Sequence, residues 1–307
     1  MVSVLLLSWN HENYIEKAIN SIIRQTYRDI EVIYLDNNSA DNTFTIATTL
    51  LGSSGLKYSA YRREKNFGIA ANYNFLYHKS TGAYLCLLSG DDWLHKDNIN
   101  EKVRPLDNDP QVAMVHSGGY KYYQEIDVYQ PLPVVTFPEE SALSELLKSN
   151  YISSTGILLR TSAVEAVGGW NESLIAEDGE LWVRILSHYK IAAIDKLLYF
   201  YRQHLKSVSS DAEYMYKAHM EIYEASKDIN KSKKLALRHI KDHYLAVKVK
   251  QTTSVSLFLK ILSHFRFEKI YFVLLLKSIL PISWKNWYFR RSFKKKYGNV
   301  RVEEESI

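Results

Sequence analysis

Three short polar clusters of this chain could carry chemistry, and each directly follows a predicted buried strand: Ser8-Trp9-Asn10, Asp36-Asn37 and Asp91-Asp92. Ligands of open α/β sheets bind beyond the carboxyl ends of the strands, so we expect the three clusters to converge on one rim. Adjacent acids that leave a buried strand are costly unless they meet a cation or hydrogen-bond donors. Hard carboxylate oxygens suit Mg²⁺ or Mn²⁺, whose coordination substrate phosphates usually complete. The alternative is that Asp91 caps a helix beginning near Trp93.

Two common phosphate-binding motifs are missing from the sequence. It contains no G-x-x-x-x-G-K-[ST] string, which excludes a P-loop, and no G-x-G-x-x-G string after the first strand, which disfavours nicotinamide binding. The remaining expectation is a nucleotide diphosphate that is held mainly by a metal ion.

The elements that must position these clusters follow from the spacing of apolar residues. Over 1–117, short apolar runs alternate with helical periodicity, which indicates βαβ units and a mostly parallel, doubly wound sheet. The predicted strands are Val2–Leu7, Glu31–Leu35, Leu56–Tyr61, Tyr84–Leu88 and Val112–Ser117. The predicted helices are Tyr14–Gln25, a segment ending near Leu51, Ile69–His78 and Asn98–Arg104.

The pattern changes after Tyr120, where a Tyr-rich and Pro-containing stretch predicts edge strands and loops. Further along come predicted helices at Ser141–Lys148, Ser162–Val167 and Gly179–His188, and predicted strands at Ile191–Ile194 and Leu197–Tyr201. Beyond Asp211 the pattern predicts helix, interrupted at Pro281.

Composition narrows the class of protein further. The 307 residues are 46% hydrophobic and 24% charged, which is typical of a globular chain. The single cysteine, Cys86, excludes an intramolecular disulfide and a cysteine-based zinc site, and it favours a reducing compartment. The first residues lack the basic segment of a signal peptide, and no apolar run approaches the roughly 20 residues of a spanning helix. We therefore expect a cytoplasmic protein.

The order of several motifs resembles the family-2 glycosyltransferases of the GT-A fold. The resemblance covers roughly residues 1–210. The matching segments are 2–10, 14–27, 36–43, 66–74, 82–84, 89–92, 168–172, 177–182 and 201–209, the last of which includes Ser207 and Ser209. Each segment alone is weak, but together they are specific. The resemblance implies an α/β GT-A (Rossmann-like) fold with a mostly parallel central sheet flanked by helices, and a helical C-terminal extension. It predicts a catalytic domain over 1–210, with a nucleotide-binding half (1–117) and an acceptor half (118–210), and a basic helical region over 211–307.

The same resemblance implies roles for single residues. Asp178 is expected to be the general base, with Glu177 and Glu180 as alternatives, or else a helix cap. Metal ligands are expected at Asp92, Asp91 and His204, although His204 could be an ordinary loop histidine. The expected nucleotide-sugar contacts are Ser8, Trp9, Asn10, Asp36, Asn37, Asn66, Gly68, Asn74, Gly90 and Asp91. The expected acceptor contacts are Trp170, Glu177 and Trp182, although core packing competes for Trp170, as it does for Trp9.

Two departures from the family pattern concern binding. Ser89 stands where the first acid of the usual D-x-D motif lies, and Asn37 stands where many relatives carry Asp. The Q-x-x-R-W string of processive synthases is absent, which favours the addition of one sugar per encounter.

The function predicted from the resemblance is inverting, metal-dependent sugar transfer, with Mn²⁺ or Mg²⁺ as cofactor. The donor would be a nucleotide-diphosphate sugar (a UDP-, GDP- or dTDP-sugar), and the acceptor a glycan or lipid-linked hydroxyl in bacterial capsule, O-antigen or exopolysaccharide synthesis. One alternative is a sugar nucleotidyltransferase, although loop 8–13 lacks the Gly and basic residues typical of those enzymes. The other is a non-catalytic GT-A-like membrane or assembly partner.

Charge is distributed unevenly along the chain. Residues 1–210 carry 19 Lys and Arg against 24 Asp and Glu, whereas residues 211–307 carry 20 against 10. Within 254–301, aromatic residues and cations alternate, which suits an anionic membrane surface. A helical cap with a solvated basic end is the competing interpretation. No nucleic-acid motif accompanies the charges, so no nucleic-acid partner is expected. Peripheral attachment to the inner face of the cell membrane is therefore one expectation.

Overall fold

The structure is a computed structural model that describes residues 1–147, 150–175, 177–204, 211–225 and 280–298, with the single residues 240, 244, 248, 300 and 302. Ser207, Ser209 and most of the segment between Asp211 and Pro281, which is predicted to be helical, lie outside these residues.

The strands of the described chain form one mixed sheet in the order β3-β2-β1-β4-β8-β6-β9-β5, with β7 paired to β6. Their bounds are β1 Val2–Ser8, β2 Ile30–Asp36, β3 Lys57–Arg62, β4 Tyr84–Ser89, β5 Trp93–Leu94, β6 Val112–Tyr123, β7 Val128–Leu132, β8 Leu158–Arg160 and β9 Lys190–Gln203. The run β3-β2-β1-β4 is parallel throughout, and β9 is parallel to β6. The central sheet is thus mostly parallel and flanked by helices, as predicted.

Helices pack on both faces of this sheet. Their bounds are α1 Ile15–Ile23, α2 Thr43–Ser53, α3 Ile69–Lys79, α4 Asn98–Asn108, α5 Glu139–Leu146, α6 Thr161–Ala166, α7 Glu177–Leu186, α8 Ala212–Ala225 and α9 Ile282–Tyr297. In α1, the spacing of Ile15, Ala18, Ile19 and Ile22 places all four on one buried face. Because helices cover both faces, strands β1 and β2 are buried almost throughout rather than alternately.

The strand register brings the three polar clusters to one rim. Ser8 lies opposite Asp36 in the β1–β2 pair, and Leu7 lies opposite Ser89 in the β1–β4 pair. All three strands therefore end at the same level, and the loops that follow them share one edge. This arrangement is the one predicted from the order of strands and helices.

The second half of the domain differs from the prediction in its strands. The two strands predicted at 191–194 and 197–201 form one strand, β9, and β6 extends to Tyr123 rather than ending at Ser117. Register shifts near Ser117 and Gly118 let these two long strands stay paired. Among the described residues, no helix is long and apolar enough to cross a bilayer.

Candidate active site

The loops after β1 and β2 are locked together by Asn10. Its backbone N–H donates to Ser39 Oγ at 2.8 Å, and its Oδ1 accepts from the Ala40 N–H at 2.8 Å. Asn10 has a φ of 55°, a left-handed conformation that Asn tolerates better than most residues. Ser8 lies below it, buried, with its hydroxyl 2.9 Å from that of Tyr34. Ser8 and Asn10 thus shape the rim rather than project from it.

Asp36, at the end of β2, has one carboxylate oxygen engaged and one without a partner. Oδ2 accepts from the Ser39 N–H at 2.9 Å and lies 3.3 Å from Arg62 Nε. Oδ1 is buried and has no hydrogen-bond partner in the structure. A buried acceptor without a donor is costly, so Oδ1 is suited to receive a donor from a ligand.

Asn37 uses its whole side-chain amide on the backbone of Phe67. Its Nδ2 donates to the Phe67 carbonyl at 2.9 Å, and its Oδ1 accepts from the Phe67 N–H at 2.9 Å. Asn37 therefore fixes the loop that leads from β3 to α3. Asn66 and Gly68 flank Phe67 on this loop and are exposed.

Gly90 is required where the loops after β1 and β4 approach each other. A Cβ atom at this position would lie 2.9 Å from Ile15 Cδ1 and from Ser8 Cβ, and 3.0 Å from His11 Nδ1. Only a residue without a side chain fits there, and this close approach holds Asp91 beside the first loop.

Asp91 faces two histidines at the rim. His204 Nε2 lies 3.2 Å from Asp91 Oδ2, and the Ser89 hydroxyl donates to Asp91 Oδ1. Burial opposes ionisation of Asp91, but the contacts with His204, His11 and Ser89 outweigh it and lower its pKa to about 2. Asp91 is therefore ionised at neutral pH, and its side chain keeps 16% exposure. The helix cap considered for Asp91 is wrong, because Trp93–Leu94 is a strand and α4 begins only at Asn98.

Asp92 points the other way, into the protein. Its Oδ2 accepts from the Thr155 hydroxyl at 2.7 Å and its Oδ1 from the Arg202 N–H at 2.8 Å, and the residue is 3% exposed. Burial and the neighbouring charge of Asp91 raise the pKa of Asp92 well above its ordinary value. Both oxygens are used within the protein, so Asp92 does not fit the predicted role of a direct metal ligand.

The segment 153–156 connects the two acidic parts of the site. Ser154 hydrogen-bonds Asp178, and Thr155 donates to Asp92. Behind them, the buried Lys102 ammonium donates to the Gly156 carbonyl at 2.6 Å, where Gly156 has a φ of 67°. One short loop therefore sets the positions of Asp92 and Asp178 together.

Glu177 and Asp178 open helix α7, where the helix dipole favours negative charge. Asp178 lies within the first turn, with its Oδ1 accepting from the Gly179 N–H, so the alternative role as N-cap is wrong. Burial raises the pKa of Asp178. Burial and the charge of Asp178 raise the pKa of Glu177 to about 8. Glu180, the other alternative base, pairs with Arg184 through two bonds of 2.7 Å each.

Tyr73 of α3 lies between the two acidic parts. Burial raises its pKa, and the charges of Glu177, Asp92, Asp178 and Asp91 add to that rise in this order. All four carboxylates therefore lie near enough to Tyr73 to act on its hydroxyl electrostatically. Both acid pairs are among the residues predicted for the site, whereas the Tyr73 hydroxyl has no sequence signature.

The two predicted acceptor tryptophans are core residues. Trp182 is fully buried, and Trp170 is 2% exposed with its ring 5.5 Å from that of Tyr73. Neither ring is accessible to an acceptor, so core packing accounts for both. Asn74 holds this region by accepting from the Trp170 N–H at 2.9 Å and donating to the Trp170 carbonyl at 2.9 Å. In contrast, Trp9 is 51% exposed at the rim.

The donor set near Asp91 fits a divalent cation only in part. Asp91 supplies an ionised carboxylate and His204 an imidazole nitrogen, and burial lowers the pKa of the nearby His11. In the described part of the chain, no group of three or more His, Cys, Asp or Glu side chains is placed to hold a metal. An ion at this place would thus depend on oxygens of a substrate, as Mg²⁺ and Mn²⁺ commonly do.

Several residues of the site have no signature that sequence patterns could reveal. Thr155 and Lys102 contribute through single hydrogen bonds formed across 63 and 54 positions. Arg202 was part of a matched segment, but its contacts are visible only in the fold. Its Nε donates to the Asp91 carbonyl at 2.8 Å, and its guanidinium carbon lies 4.8 Å from the ring centres of Tyr14 and Trp93.

Solved structures with a similar fold define the class of protein. A mannosyltransferase from Pyrobaculum calidifontis, in complex with GDP-Man and Mn²⁺, matches with a TM-score of 0.58 at 15% identity, over 97% of this chain and 88% of the other. Staphylococcus aureus TarS 1–349, in complex with UDP-GlcNAc, matches with a TM-score of 0.56 at 15% identity, over 95% and 92%. The fold is therefore that of the GT-A glycosyltransferases.

Sequence comparison shows the family to which the chain belongs. The model of glycosyl transferase family 2 matches residues 3–168, more than half of the chain, and the chain belongs to that family. An uncharacterized glycosyltransferase of Rickettsia conorii is 27% identical over 222 residues, which cover 69% of this chain and 36% of the relative. Glycosyltransferase GlyA of Streptococcus pneumoniae is 26% identical over 224 residues, which cover 68% and 31%. The chain thus matches about a third of the length of these relatives.

Proposed function

We propose that this family-2 glycosyltransferase transfers one sugar per encounter, with inversion, from a nucleotide-diphosphate donor to a hydroxyl group of a glycan or lipid-linked acceptor. The observation that carries the proposal is that one loop holds an acid of each pair: Thr155 donates to Asp92, and the preceding Ser154 hydrogen-bonds Asp178. Transfer needs a group that receives the acceptor proton and a cation that neutralises the leaving diphosphate; the acid pair of α7 would supply the first, and the acid pair at Asp91 would hold the second.

The nucleotide is proposed to bind along the rim formed by the first two loops. The unpartnered Oδ1 of Asp36 would accept a hydrogen bond from the base or ribose, which would remove the cost of leaving that oxygen unsatisfied. The exposed ring of Trp9 offers a stacking surface on the same rim. Asn37 and Gly90 would act indirectly, by holding the loops that face the ligand.

The diphosphate is proposed to lie at Asp91 and His204. These two residues would hold Mn²⁺ or Mg²⁺, and the structural neighbour in complex with GDP-Man and Mn²⁺ supports a divalent ion. Such an ion supplies a Lewis acid that stabilises negative charge on the departing nucleoside diphosphate. Asp92 would fix the backbone of Arg202 rather than bind the ion.

The acceptor proton is proposed to pass to Asp178. Among the two coupled acids of α7, the charge of Asp178 raises the pKa of Glu177, so Asp178 is the member that ionises first. A buried carboxylate with a raised pKa is a stronger base than one in water, and such a group contributes about 10²–10⁴-fold to rate. Ser154 and the Gly179 N–H orient its oxygens.

A calorimetric titration with a panel of UDP-, GDP- and dTDP-sugars tests the proposal. Binding of one nucleotide class that requires Mn²⁺ or Mg²⁺ and is abolished by EDTA is expected. Sugar transfer to a glycan acceptor should follow from the donor that binds. Release of pyrophosphate from a nucleoside triphosphate and a sugar phosphate would instead identify a nucleotidyltransferase. Failure of every donor to bind would favour a non-catalytic partner with this fold.

A further inference from the structure

Helix α9 is strongly basic and carries no acidic residue over its 16 positions. It packs on the end of β6, where the ring of Phe293 lies 4.8 Å and that of Phe289 5.7 Å from the ring of Tyr123. Phe289, Phe293 and Tyr297 recur at four-residue spacing and are only partly exposed. This face of the helix is therefore the one that rests on the domain.

The opposite face of α9 combines aromatic and cationic side chains. Trp284, Trp287 and Tyr288 are 67%, 59% and 61% exposed. One to three turns further along the same side lie the exposed residues Arg291, Lys294 and Lys295. The guanidinium carbon of Arg291 lies 5.2 Å from the centre of the Trp287 ring, which links the two halves of this face. We call these six residues the outer face of α9.

We propose that the outer face of α9 docks the protein on an anionic lipid surface. Trp and Tyr side chains favour the headgroup region, where an apolar ring and a polar edge are both accommodated. Cations on the same side of an interfacial helix bind anionic headgroups. Exposing three large aromatic rings to water is unfavourable, so a partner that covers them would stabilise the protein.

A lipid surface fits this face better than a nucleic acid does. Proteins that bind single strands track the backbone through a charged groove, whereas these side chains radiate from one convex helix. A planar surface can contact all six residues together, because they span the length of one helical side. Charge complementarity points the same way, since α9 offers no carboxylate that would repel an anionic headgroup.

Helix α9 is connected to the active site through Tyr123 and Gln124. Tyr123, which receives α9, is followed by Gln124, whose Oε1 lies 3.2 Å from Arg202 Nη1. Arg202 in turn holds the backbone of Asp91 and the carboxylate of Asp92. A lipid surface bound by α9 would thus lie near the rim where the donor is proposed to bind. Docking itself does not depend on the proposed transfer reaction.

Vesicle co-sedimentation of the full chain tests the proposal. The probes are phosphatidylcholine vesicles and vesicles in which about a quarter of the lipid is phosphatidylglycerol. Binding only to the anionic vesicles, weakened by salt, is expected. The triple substitution Arg291→Glu, Lys294→Glu, Lys295→Glu should weaken partitioning by at least about a hundredfold. Trp284→Ala with Trp287→Ala should weaken binding at high salt more than binding at low salt.

The matched control is Arg28→Glu, Lys79→Glu, Arg104→Glu, which changes the net charge equally at exposed positions away from α9. It should retain binding within a fewfold, and thermal melts should show that both triple variants fold. An equal loss of vesicle binding in the two triple variants would overturn the proposal. Competition by RNA but not by lipid would also overturn it, as would self-association of the chain without vesicle binding. No donor or acceptor is present in this assay, so failure of the transfer proposal would leave its result unaffected.

Discussion

The Thr155 hydroxyl lies 2.7 Å from Asp92 Oδ2 and donates to it. The preceding residue, Ser154, hydrogen-bonds Asp178. Two consecutive side chains thus hold the acid next to the proposed metal site and the proposed general base. The dipeptide Ser154-Thr155 therefore sets the distance between Asp92 and Asp178, and any shift of this loop would move both acids.

Thr155→Val tests this coupling, because it keeps the shape of the side chain and removes only the donor. Asp92 would be left with one bond fewer in a buried environment, which costs about 1–3 kcal/mol of unfolding free energy. We expect a lower urea midpoint and a lower kcat, with Thr155→Ser restoring both. A stable Val variant with an unchanged rate would show that the hydrogen bond has no positioning role.

The adjacent acids Asp91 and Asp92 should respond differently to amidation. Asp91→Asn removes the ionised carboxylate, so we expect loss of the Mn²⁺-dependent part of donor affinity together with a lower unfolding free energy, because the lowered pKa of Asp91 means that its charge stabilises the fold. Asp92→Asn removes a carboxyl whose pKa is raised by burial, and Asn can still accept from the Arg202 N–H and donate to the Thr155 hydroxyl, so we expect a smaller change in unfolding free energy and a retained response to Mn²⁺. Calorimetric titration of Mn²⁺ and nucleotide, paired with urea unfolding, separates the two effects. The reverse pattern would indicate that Asp92, rather than Asp91, is the metal ligand.

The catalytic pair of α7 allows a similar comparison. Asp178→Asn should lower kcat by about 10²–10⁴-fold while leaving the donor Kd within a fewfold. Glu177→Gln should keep most of the rate, because Gln resembles the protonated Glu177 that a pKa of about 8 implies at neutral pH. Single-turnover transfer rates measure both. If the Gln variant were the inactive one, Glu177 would be the base.

Glu177 should also make stability depend on pH. Its pKa is about 8 in the folded state, above the value of 4.5 for an unperturbed Glu, so the folded chain binds more protons between these limits. Unfolding free energy should therefore fall as pH rises from about 4.5 to 8, by about 1.4 kcal/mol per pH unit at most. Glu177→Gln should abolish this part of the slope. Equal slopes in the two proteins, measured by urea unfolding, would contradict the assignment.

Sequence patterns predict the parallel half of this fold well because its strands are short, apolar and buried on both faces. The predicted and observed bounds of β1 to β4 differ by at most one residue at either end. Strands β5 and β8 were missed because two and three residues are too few to show a period. Strand β9 was divided in two because Asp195 and Lys196 interrupt its apolar pattern, whereas pairing with β6 keeps the strand continuous.

Residues of the candidate site can be predicted from sequence when their chemical type allows few roles. They cannot be predicted when the role depends on whether the side chain is buried. Acids after a strand or at the start of a helix stand out in a sequence, and the roles of Asp91 and Asp178 stay predictions; what the structure adds is that consecutive residues, Ser154 and Thr155, bond to Asp178 and Asp92. Nothing in the sequence indicates that Asp92 turns inward while Asp91 stays partly exposed. The burial of Trp170 and Trp182 follows from α3, α7 and the sheet packing around them, which no local pattern contains.

Two hydrogen bonds join the Asn37 side chain to the Phe67 backbone, and they constrain any attempt to exchange donor preference between relatives. A carboxylate at position 37 can accept from the Phe67 N–H but cannot donate to its carbonyl. Grafting the 63–68 segment of this chain into a homologue that has Asp at position 37 would therefore lose the hydrogen bond to the Phe67 carbonyl. A chimera intended to accept a new nucleotide would therefore need position 37 and segment 63–68 from the same protein.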